Sequence, residues 1–159
     1  MTVPPGGVVS LANDGKSRWT MLPVLNYSET PNAGEKAESI VGALLQVHGL
    51  HTLGHYPSAE GEGVLELNEQ KRYEQALSWA KKNGFAYGVT GSVDEWHYKS
   101  GVEGEPAVGL SLRIVEIPSE KVLWSAVGAR SGWGRDSVSG TAQRLIEDLL
   151  DEFETKTSR

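Results

Sequence analysis

Residues 108–125 read VGLSLRIVEIPSEKVLWS, and this stretch decides the fold of the chain. From residue 108 to residue 114 every second side chain is large and apolar, which is the period-two pattern of a strand with one buried face. The residues at 118–121, Pro-Ser-Glu-Lys, are typical of a turn, and a second apolar stretch follows at 122–129. The segment therefore predicts an antiparallel hairpin whose two strands belong to a sheet.

Upstream of the hairpin the sequence predicts strands that alternate with helices. The first strand, at 19–27, is nearly continuous in apolar residues, and Pro23 within it indicates either a sheet edge or a bulge. A helix follows in which apolar residues recur at helical spacing up to Gly49, with Asn32 in a capping arrangement. A short strand at 51–56 then precedes a second helix.

The second helix and the strand after it have recognisable limits. Asn68 is the expected capping residue of this helix, and Gly84 is expected to end it. In the next strand the apolar residues change parity after Val93, and a bulge near Asp94 and Glu95 would reconcile the two stretches.

The last helix completes the expected architecture. It is strongly amphipathic from Val138 onward, Ser137 is its predicted cap, and Asp136 lies near its positive start. The element order is therefore β-α-β-α-β-β-β-α, which predicts an α/β fold, a mixed sheet with helices on both faces. Residues 1–16 are rich in Gly, Pro, Asn and Asp and are expected to be a flexible leader, so that a single domain spans 17–159.

The composition narrows the classes of function. The net charge of −6 argues against nucleic acid as a partner, because such binding depends on lysine and arginine side chains that neutralise phosphates. The chain has no cysteine, which excludes disulfides, thiolate zinc sites and a cysteine nucleophile. No apolar run reaches the roughly 20 residues that cross a bilayer, and residues 1–7 lack the features of a signal peptide.

No catalytic or metal-binding constellation is evident from the spacing of residues. His48, His51 and His55 lie where a helix gives way to a strand, so that no regular spacing brings them to one point. Ser137 and Ser139 lie outside any nucleophile motif and occupy the expected helix start. We expect no metal and no cofactor, and a small hydrolase stays a weaker alternative that would require a pocket gathering a histidine and a carboxylate.

Acidic residues recur in pairs in predicted loops and at strand ends. A glycosidase needs two carboxyl groups across a cleft, one of them in an apolar pocket, whereas water would keep these acids ionised. They are either solvated surface acids or parts of a negatively lined binding surface. The pairs are Glu60 and Glu62, Asp94 and Glu95, and, in a loop expected at 100–106, Glu103 and Glu105.

Trp133 is the residue that points most directly to a function. It lies between Gly132 and Gly134, which add flexibility, and no regular element holds it. The indole is therefore expected to point outward, where such a group meets a partner protein, a sugar or the headgroup layer of a membrane. The alternative is a lid that folds back over the sheet edge, since tryptophan is mostly buried. The other tryptophans are expected in the core at 19, 96 and 124, and partly exposed at 79.

The element order, the entry strand at 19–27 and the hairpin at 115–125 resemble those of a known group. This group comprises periplasmic and outer-membrane lipoprotein domains related to the amino-terminal domain of TolB and to the curli secretion lipoprotein. Within it the sequence is most similar to the PelC family, small outer-membrane lipoproteins of Pel exopolysaccharide export. The Gly132-Trp133-Gly134 segment is part of this match, and the resemblance covers about residues 18–153.

The resemblance implies a protein without enzyme activity that assembles into a ring, a dodecamer, on the periplasmic side of the outer membrane. Trp133, with Gly132 and Gly134, would contact the membrane surface. The acidic residues would guide a cationic exopolysaccharide towards an outer-membrane β-barrel export protein. Family members carry a lipidated N-terminal cysteine, so this chain is expected to lack its signal and anchor. The alternative is a monomeric accessory lipoprotein domain that docks a protein partner through Trp133 and the last helix.

Overall fold

The structure, a computed structural model, has the element order expected from the sequence, β-α-β-α-β-β-β-α. It describes residues 17–50, 52–57, 69–99, 104–133 and 135–157, with side chains up to residue 151. The expected leader at 1–16 lies outside this range. The strands are β1 (Trp19–Asn26), β2 (Gly54–His55), β3 (Tyr87–Lys99), β4 (Glu105–Glu116) and β5 (Val122–Ser131), and the helices are α1 (Ala33–Val47), α2 (Glu69–Lys82) and α3 (Val138–Thr157).

The five strands form one mixed sheet in the order β2-β1-β3-β4-β5. β1 pairs in parallel with both β2 and β3, and helices form the crossovers that parallel pairing requires. The predicted hairpin is confirmed, because β4 and β5 are antiparallel, with Ile114 opposite Trp124 and Leu110 opposite Gly128. The sheet therefore consists of a crossover half and a meander half.

Helices cover both faces of the sheet, as predicted. On one face α1 and α3 bury Val41 and Ile146 in the same core as Leu110 of β4. On the other face α2 packs Ala80 against Leu22 of β1. Each large apolar side chain buried in this way stabilises the fold by roughly 1.5–3 kcal/mol. The expected core tryptophans Trp19, Trp96 and Trp124 are buried, and Trp79 is half-buried.

Irregularities in β1 and β3 fall where the sequence predicts them. The register of β1 against β3 shifts between Met21 and Val24, around Pro23. Both alternatives for Pro23 are observed, because the bulge falls at this residue and β2 pairs with β1 only at Thr20 and Met21, which leaves Pro23 at an edge. The register of β3 against β4 shifts between Val93 and Glu95, so the bulge expected from the change of parity is present.

The helix ends agree with the sequence except at the start of α1. Gly49 and Gly84 follow α1 and α2 with positive φ angles of 113° and 73°, and Ser137 caps α3. The predicted capping role of Asn32 is wrong, because its side chain makes no capping hydrogen bond. Its backbone is left-handed instead, with φ 63°, a conformation that asparagine tolerates better than most residues. The expected cap Asn68 lies outside the described residues.

Three element limits differ from those expected. β2 has only two residues, instead of a strand over 51–56. β4 starts at Glu105, so this residue belongs to a strand and not to the expected loop at 100–106. Lys99 of β3 lies opposite it, which lengthens the β3–β4 ladder. β5 continues to Ser131, which brings the sheet directly up to the segment that carries Trp133.

Candidate functional site

The end of the sheet at which β5 stops carries the most exposed large apolar side chain of the described residues. Here β3 ends and β4 begins, because Lys99 lies opposite Glu105, and β5 ends beside them, because Ala107 lies opposite Ser131. Trp133 follows β5 and is 85% exposed. The indole therefore points away from its own subunit, and the alternative of a lid folded over the sheet edge is wrong.

Gly132, Trp133 and residues 135–137, which we name the Trp133 loop, include hydrogen bonds on both sides of the indole. The N–H of Gly132 donates to the carbonyl of Pro106 at 2.9 Å, which ties the loop to β4. The N–H of Trp133 donates to Oδ2 of Asp136 at 2.8 Å, and the N–H of Asp136 donates back to the carbonyl of Trp133 at 2.8 Å. The exposed indole is therefore carried by a residue whose own N–H and carbonyl both take part in hydrogen bonds.

Packing, rather than flexibility, requires glycine at position 132. A Cβ atom there would lie 2.6 Å from Oγ1 of Thr141, 2.8 Å from Cγ of Pro106 and 2.9 Å from Oδ2 of Asp136. These distances are well below van der Waals contact, so a side chain would displace the loop or the start of α3. The expectation that Gly132 adds flexibility is therefore wrong, and Gly134 lies outside the described residues.

The start of α3 anchors the other side of the Trp133 loop. Oγ of Ser137 accepts a hydrogen bond from the N–H of Gly140 at 2.9 Å, which confirms the predicted cap. The fully buried Thr141 donates its hydroxyl hydrogen to the carbonyl of Ser137 at 3.0 Å. Nη2 of Arg144 lies 3.2 Å from Oδ2 of Asp136, so an ion pair joins the loop to the helix.

Tyr98 is an exposed aromatic residue at this end of the sheet, although the sequence pattern did not single it out as a site residue. It is 46% exposed and lies opposite Pro106 in the β3–β4 ladder. The carbonyl of Pro106 also accepts the first hydrogen bond of the loop, so β4 lies between Tyr98 on β3 and the start of the Trp133 loop. Lys99 and Arg135 are exposed at the same end and add positive charge. The only sequence signal for Tyr98 was its place at the end of an alternating strand.

The described members of the predicted acidic set lie at two places. Asp94 is exposed at the bulge of β3, and the neighbouring Glu95 has its Oε2 atom 2.9 Å from Nε2 of His97. Glu105 lies at the start of β4, opposite Lys99. Glu95 and Glu105 therefore each have a basic residue as neighbour. The remaining members, Glu60, Glu62 and Glu103, lie outside the described residues.

The described residues contain no group of three or more His, Asp or Glu side chains that could hold a metal ion. His48 ends α1, and His55 lies on β2 next to Gly42 of α1. The third histidine of the predicted cluster, His51, lies outside the described residues. Of the helices in the described part of the chain, none is both long enough and apolar enough to cross a membrane.

Two glutamates that the sequence pattern did not reveal close the open side of β1. Oε1 of Glu38 on α1 accepts the N–H of Val24 at 3.2 Å, and Oε2 of Glu69 on α2 accepts the N–H of Asn26 at 2.9 Å. Burial raises the pKa of Glu38 above its ordinary value, and the hydrogen bond from Val24 and the charge of Arg72 offset this only in part. A carboxyl with a raised pKa is a candidate acid or base, but this one is bonded to the sheet backbone.

The fold defines a class that includes small bacterial lipoproteins. The structure of lipoprotein GNA1162 from Neisseria meningitidis matches with a TM-score of 0.59, and the match covers 87% of this chain and 99% of that chain. The identity is 16%, so this likeness concerns the fold alone. No family model matches the sequence, and no curated protein sequence does.

Two solved structures are similar in sequence as well as in fold. The PelC dodecamer from Paraburkholderia phytofirmans is 32% identical with a TM-score of 0.68, and the match covers 84% of this chain and 86% of that chain. A single-residue variant of that dodecamer, in another crystal form, is 33% identical with a TM-score of 0.73 over 87% of this chain and 88% of that chain. The chain therefore belongs to the PelC family, which confirms the resemblance seen in the sequence.

Proposed function

We propose that this protein is a non-enzymatic periplasmic subunit of an exopolysaccharide secretion system. It forms a ring at the inner face of the outer membrane, and an acidic surface of the ring guides a cationic polysaccharide to the pore of an outer-membrane β-barrel export protein. The observation that carries the proposal is the 85% exposure of Trp133 on a hydrogen-bonded loop, in a chain of the PelC family.

The membrane contact is assigned to Trp133. An indole favours the boundary between water and hydrocarbon, because the ring is apolar while its N–H keeps a polar partner. One such side chain contributes roughly 1.5–3 kcal/mol, too little to hold a protein at a membrane alone. Repeated around a ring, the same weak contact becomes a multivalent attachment. The exposed cation of Arg135, within the Trp133 loop, favours anionic headgroups at this surface.

Ring formation is supported by a relative and by one edge of the sheet. The related PelC protein was crystallised as a dodecamer. A closed ring needs two unlike surfaces on every subunit. Within the described residues β5 is an edge strand without a strand partner on its outer side, and its Val127 is 77% exposed. An unpaired edge with an exposed apolar side chain favours contact with another chain.

The guiding role is assigned to the acidic residues. The chain has a net charge of −6, and a ring repeats each acid in every subunit. Salt screens charges beyond about 8 Å under physiological conditions, so the acids act on the polymer only where the opening is narrow. Weak attraction of this kind lets a cationic polymer enter without stalling. The proposed set is Glu60, Glu62, Asp94, Glu95, Glu103 and Glu105.

The substitution Trp133→Ala tests the membrane assignment. We expect its free energy of unfolding to stay within about 0.5 kcal/mol of wild type, because the side chain is exposed. We expect binding to vesicles of phosphatidylethanolamine and phosphatidylglycerol to fall at least about tenfold. Tyr27→Ala is the matched control, since Tyr27 is a 66% exposed aromatic residue outside the Trp133 loop. Unchanged vesicle binding, or an indole that a lipid-borne quencher never reaches, would contradict the assignment.

The same indole also supports a second function, a monomeric accessory domain that docks one protein partner. The contact between Arg144 and Asp136 makes the exposed side of α3 continuous with the Trp133 loop, as a docking surface of this kind requires. The mass of the particle in solution separates the two functions. A ring has many times the mass of one chain, whereas a protein that stays monomeric at high concentration would contradict the ring.

A further inference from the structure

Asp136 is an acidic residue at a place where a membrane-facing surface disfavours one. Anionic headgroups repel a carboxylate, yet this carboxylate belongs to the loop that presents the indole. Its Oδ2 atom accepts the Trp133 N–H at 2.8 Å and lies 3.2 Å from Nη2 of Arg144. The same oxygen occupies space that a side chain at Gly132 would need. One oxygen atom therefore contacts both the indole-bearing residue and α3, and it lies beside Gly132.

We propose that Asp136 is the positioning residue of the Trp133 loop. It orders the indole for a lipid headgroup layer before any lipid is present, and Arg144 neutralises its charge at that surface. This inference rests on the proposed membrane contact and adds the means by which the contact is achieved.

The physical basis is the freedom that a mobile side chain loses when it binds. An exposed indole cannot be ordered by burial, so its order has to come from the backbone that carries it. The hydrogen bond from the Trp133 N–H to a side-chain oxygen of Asp136 supplies this order, and it needs an acceptor at position 136 more than it needs a charge. Because the loop is already ordered, binding at the membrane removes less conformational freedom, and the affinity rises.

Three variants separate positioning from charge. Asp136→Ala removes both bonds of the carboxylate. Asp136→Asn keeps an oxygen that accepts the Trp133 N–H and removes the charge. Asp148→Asn is the matched control, because Asp148 lies on α3, outside the Trp133 loop, and its Oδ2 is 2.8 Å from Nη1 of Arg130. The cap of α3 comes from Ser137 and does not involve Asp136, so the helix keeps its start in each variant.

The order of the loop is measured on the full chain without lipid. The readouts are amide hydrogen exchange at Gly132 and trypsin cleavage after Arg135. The N–H of Gly132 bonds to Pro106 and not to Asp136, so its exchange reports on the loop and not on the deleted bond. We expect Asp136→Ala to accelerate both by about tenfold, Asp136→Asn to stay close to wild type, and Asp148→Asn to change neither.

Vesicles of phosphatidylethanolamine and phosphatidylglycerol then test the consequence. We expect Asp136→Ala to bind about two- to tenfold more weakly, although it removes a negative charge, and Asp148→Asn to bind no more weakly than wild type. Unchanged exchange at Gly132 in Asp136→Ala overturns the proposal, as does faster exchange with unchanged binding. If Trp133→Ala also binds like wild type, the membrane contact itself has failed, and this inference falls with it. If only the effects expected for Asp136→Ala are absent, and Trp133→Ala still binds more weakly, the proposed membrane contact is unaffected.

Discussion

The two turns at the ends of β5 are of similar size and expose opposite chemistry. In the turn at 117–121, which leads into β5 and which we name the hairpin turn, Glu120 forms an exposed ion pair with Lys81 of α2 at 2.7 Å. In the Trp133 loop, which leaves β5, the carboxylate of Asp136 is bonded to the backbone and to α3, while the side chain of Trp133 is exposed. The hairpin turn thus exposes a charged pair, whereas the Trp133 loop exposes a large aromatic ring.

This difference indicates which turn is adapted to a contact. A turn that only reverses the chain has no reason to expose a large apolar ring, because doing so leaves apolar area in water. The hairpin turn keeps charged side chains in water, whereas the Trp133 loop exposes a large ring and is closely packed at Gly132. Exposure together with order is the combination expected of a surface that binds something.

Moving the indole from one turn to the other tests the comparison with the largest expected effect. The double variant Trp133→Ala, Ser119→Trp carries its exposed ring in the hairpin turn. We expect vesicle binding to remain at least about tenfold below wild type, because the two turns lie at opposite ends of β5 and a ring offers one end to the membrane. Cosedimentation with vesicles measures the effect, with Ser119→Trp alone as the control. Restored binding in the double variant would mean that any exposed indole suffices.

A side chain at position 132 tests whether the Trp133 loop is as tightly packed as the structure shows. We expect Gly132→Ala to lower the free energy of unfolding by about 1–3 kcal/mol, because its Cβ meets three atoms at 2.9 Å or less. Urea titration measures the change. Gly109→Ala is the control, since a Cβ there lies 3.6 Å from its nearest neighbour, the Cβ of Glu95. Equal unfolding midpoints for the two variants would show that the Trp133 loop can accommodate a Cβ atom without a loss of stability.

The smallest expected effect belongs to the hairpin turn. Glu120 has a positive φ of 62°, a backbone conformation that favours glycine. Glu120→Gly and Glu120→Ala both remove the ion pair with Lys81, so their difference reports the backbone alone. We expect the glycine variant to be the more stable by about 1 kcal/mol in urea unfolding, and neither variant to alter vesicle binding. Weaker vesicle binding in both would show that the hairpin turn also takes part in the contact.

Much of the fold could be predicted because local patterns encode it. The alternation at 108–114 and the change of parity near Asp94 fix the hairpin and the bulge, since both depend only on which side chains share a face. Asn32 was mispredicted because asparagine favours both a helix cap and a left-handed backbone. The length of β2 was mispredicted for a different reason. Beyond the two residues that pair with β1, the side chains of Glu38 and Glu69 accept the β1 N–H groups that a longer β2 would have bonded. No local pattern in the sequence relates these glutamates to β1.

The candidate site could be predicted only in outline. The exposure of Trp133 follows from its position between two regular elements. The role of Gly132 depends on Pro106 of another strand and on Thr141 of the following helix, so no pattern along the sequence contains it. The role of Asp136 depends in the same way on Arg144 of that helix. Tyr98 was missed because its strand continues past the part of the sheet that the core covers, and strand alternation alone does not show where that happens.

The carboxylates of Glu38 and Glu69 have a consequence for aggregation. A sheet with two open margins can add strands without limit, which is the route to fibres. At the sheet edge formed by β1 and β2, the N–H groups of Val24 and Asn26 already have acceptors. The strand β2 offers only its own two residues to an incoming strand. An incoming strand would have to expel a carboxylate there, so lateral growth is confined to β5. If two copies paired through β5, the open edge of each would be used, and a third copy could not add to the sheet. A larger assembly therefore needs contacts through other surfaces.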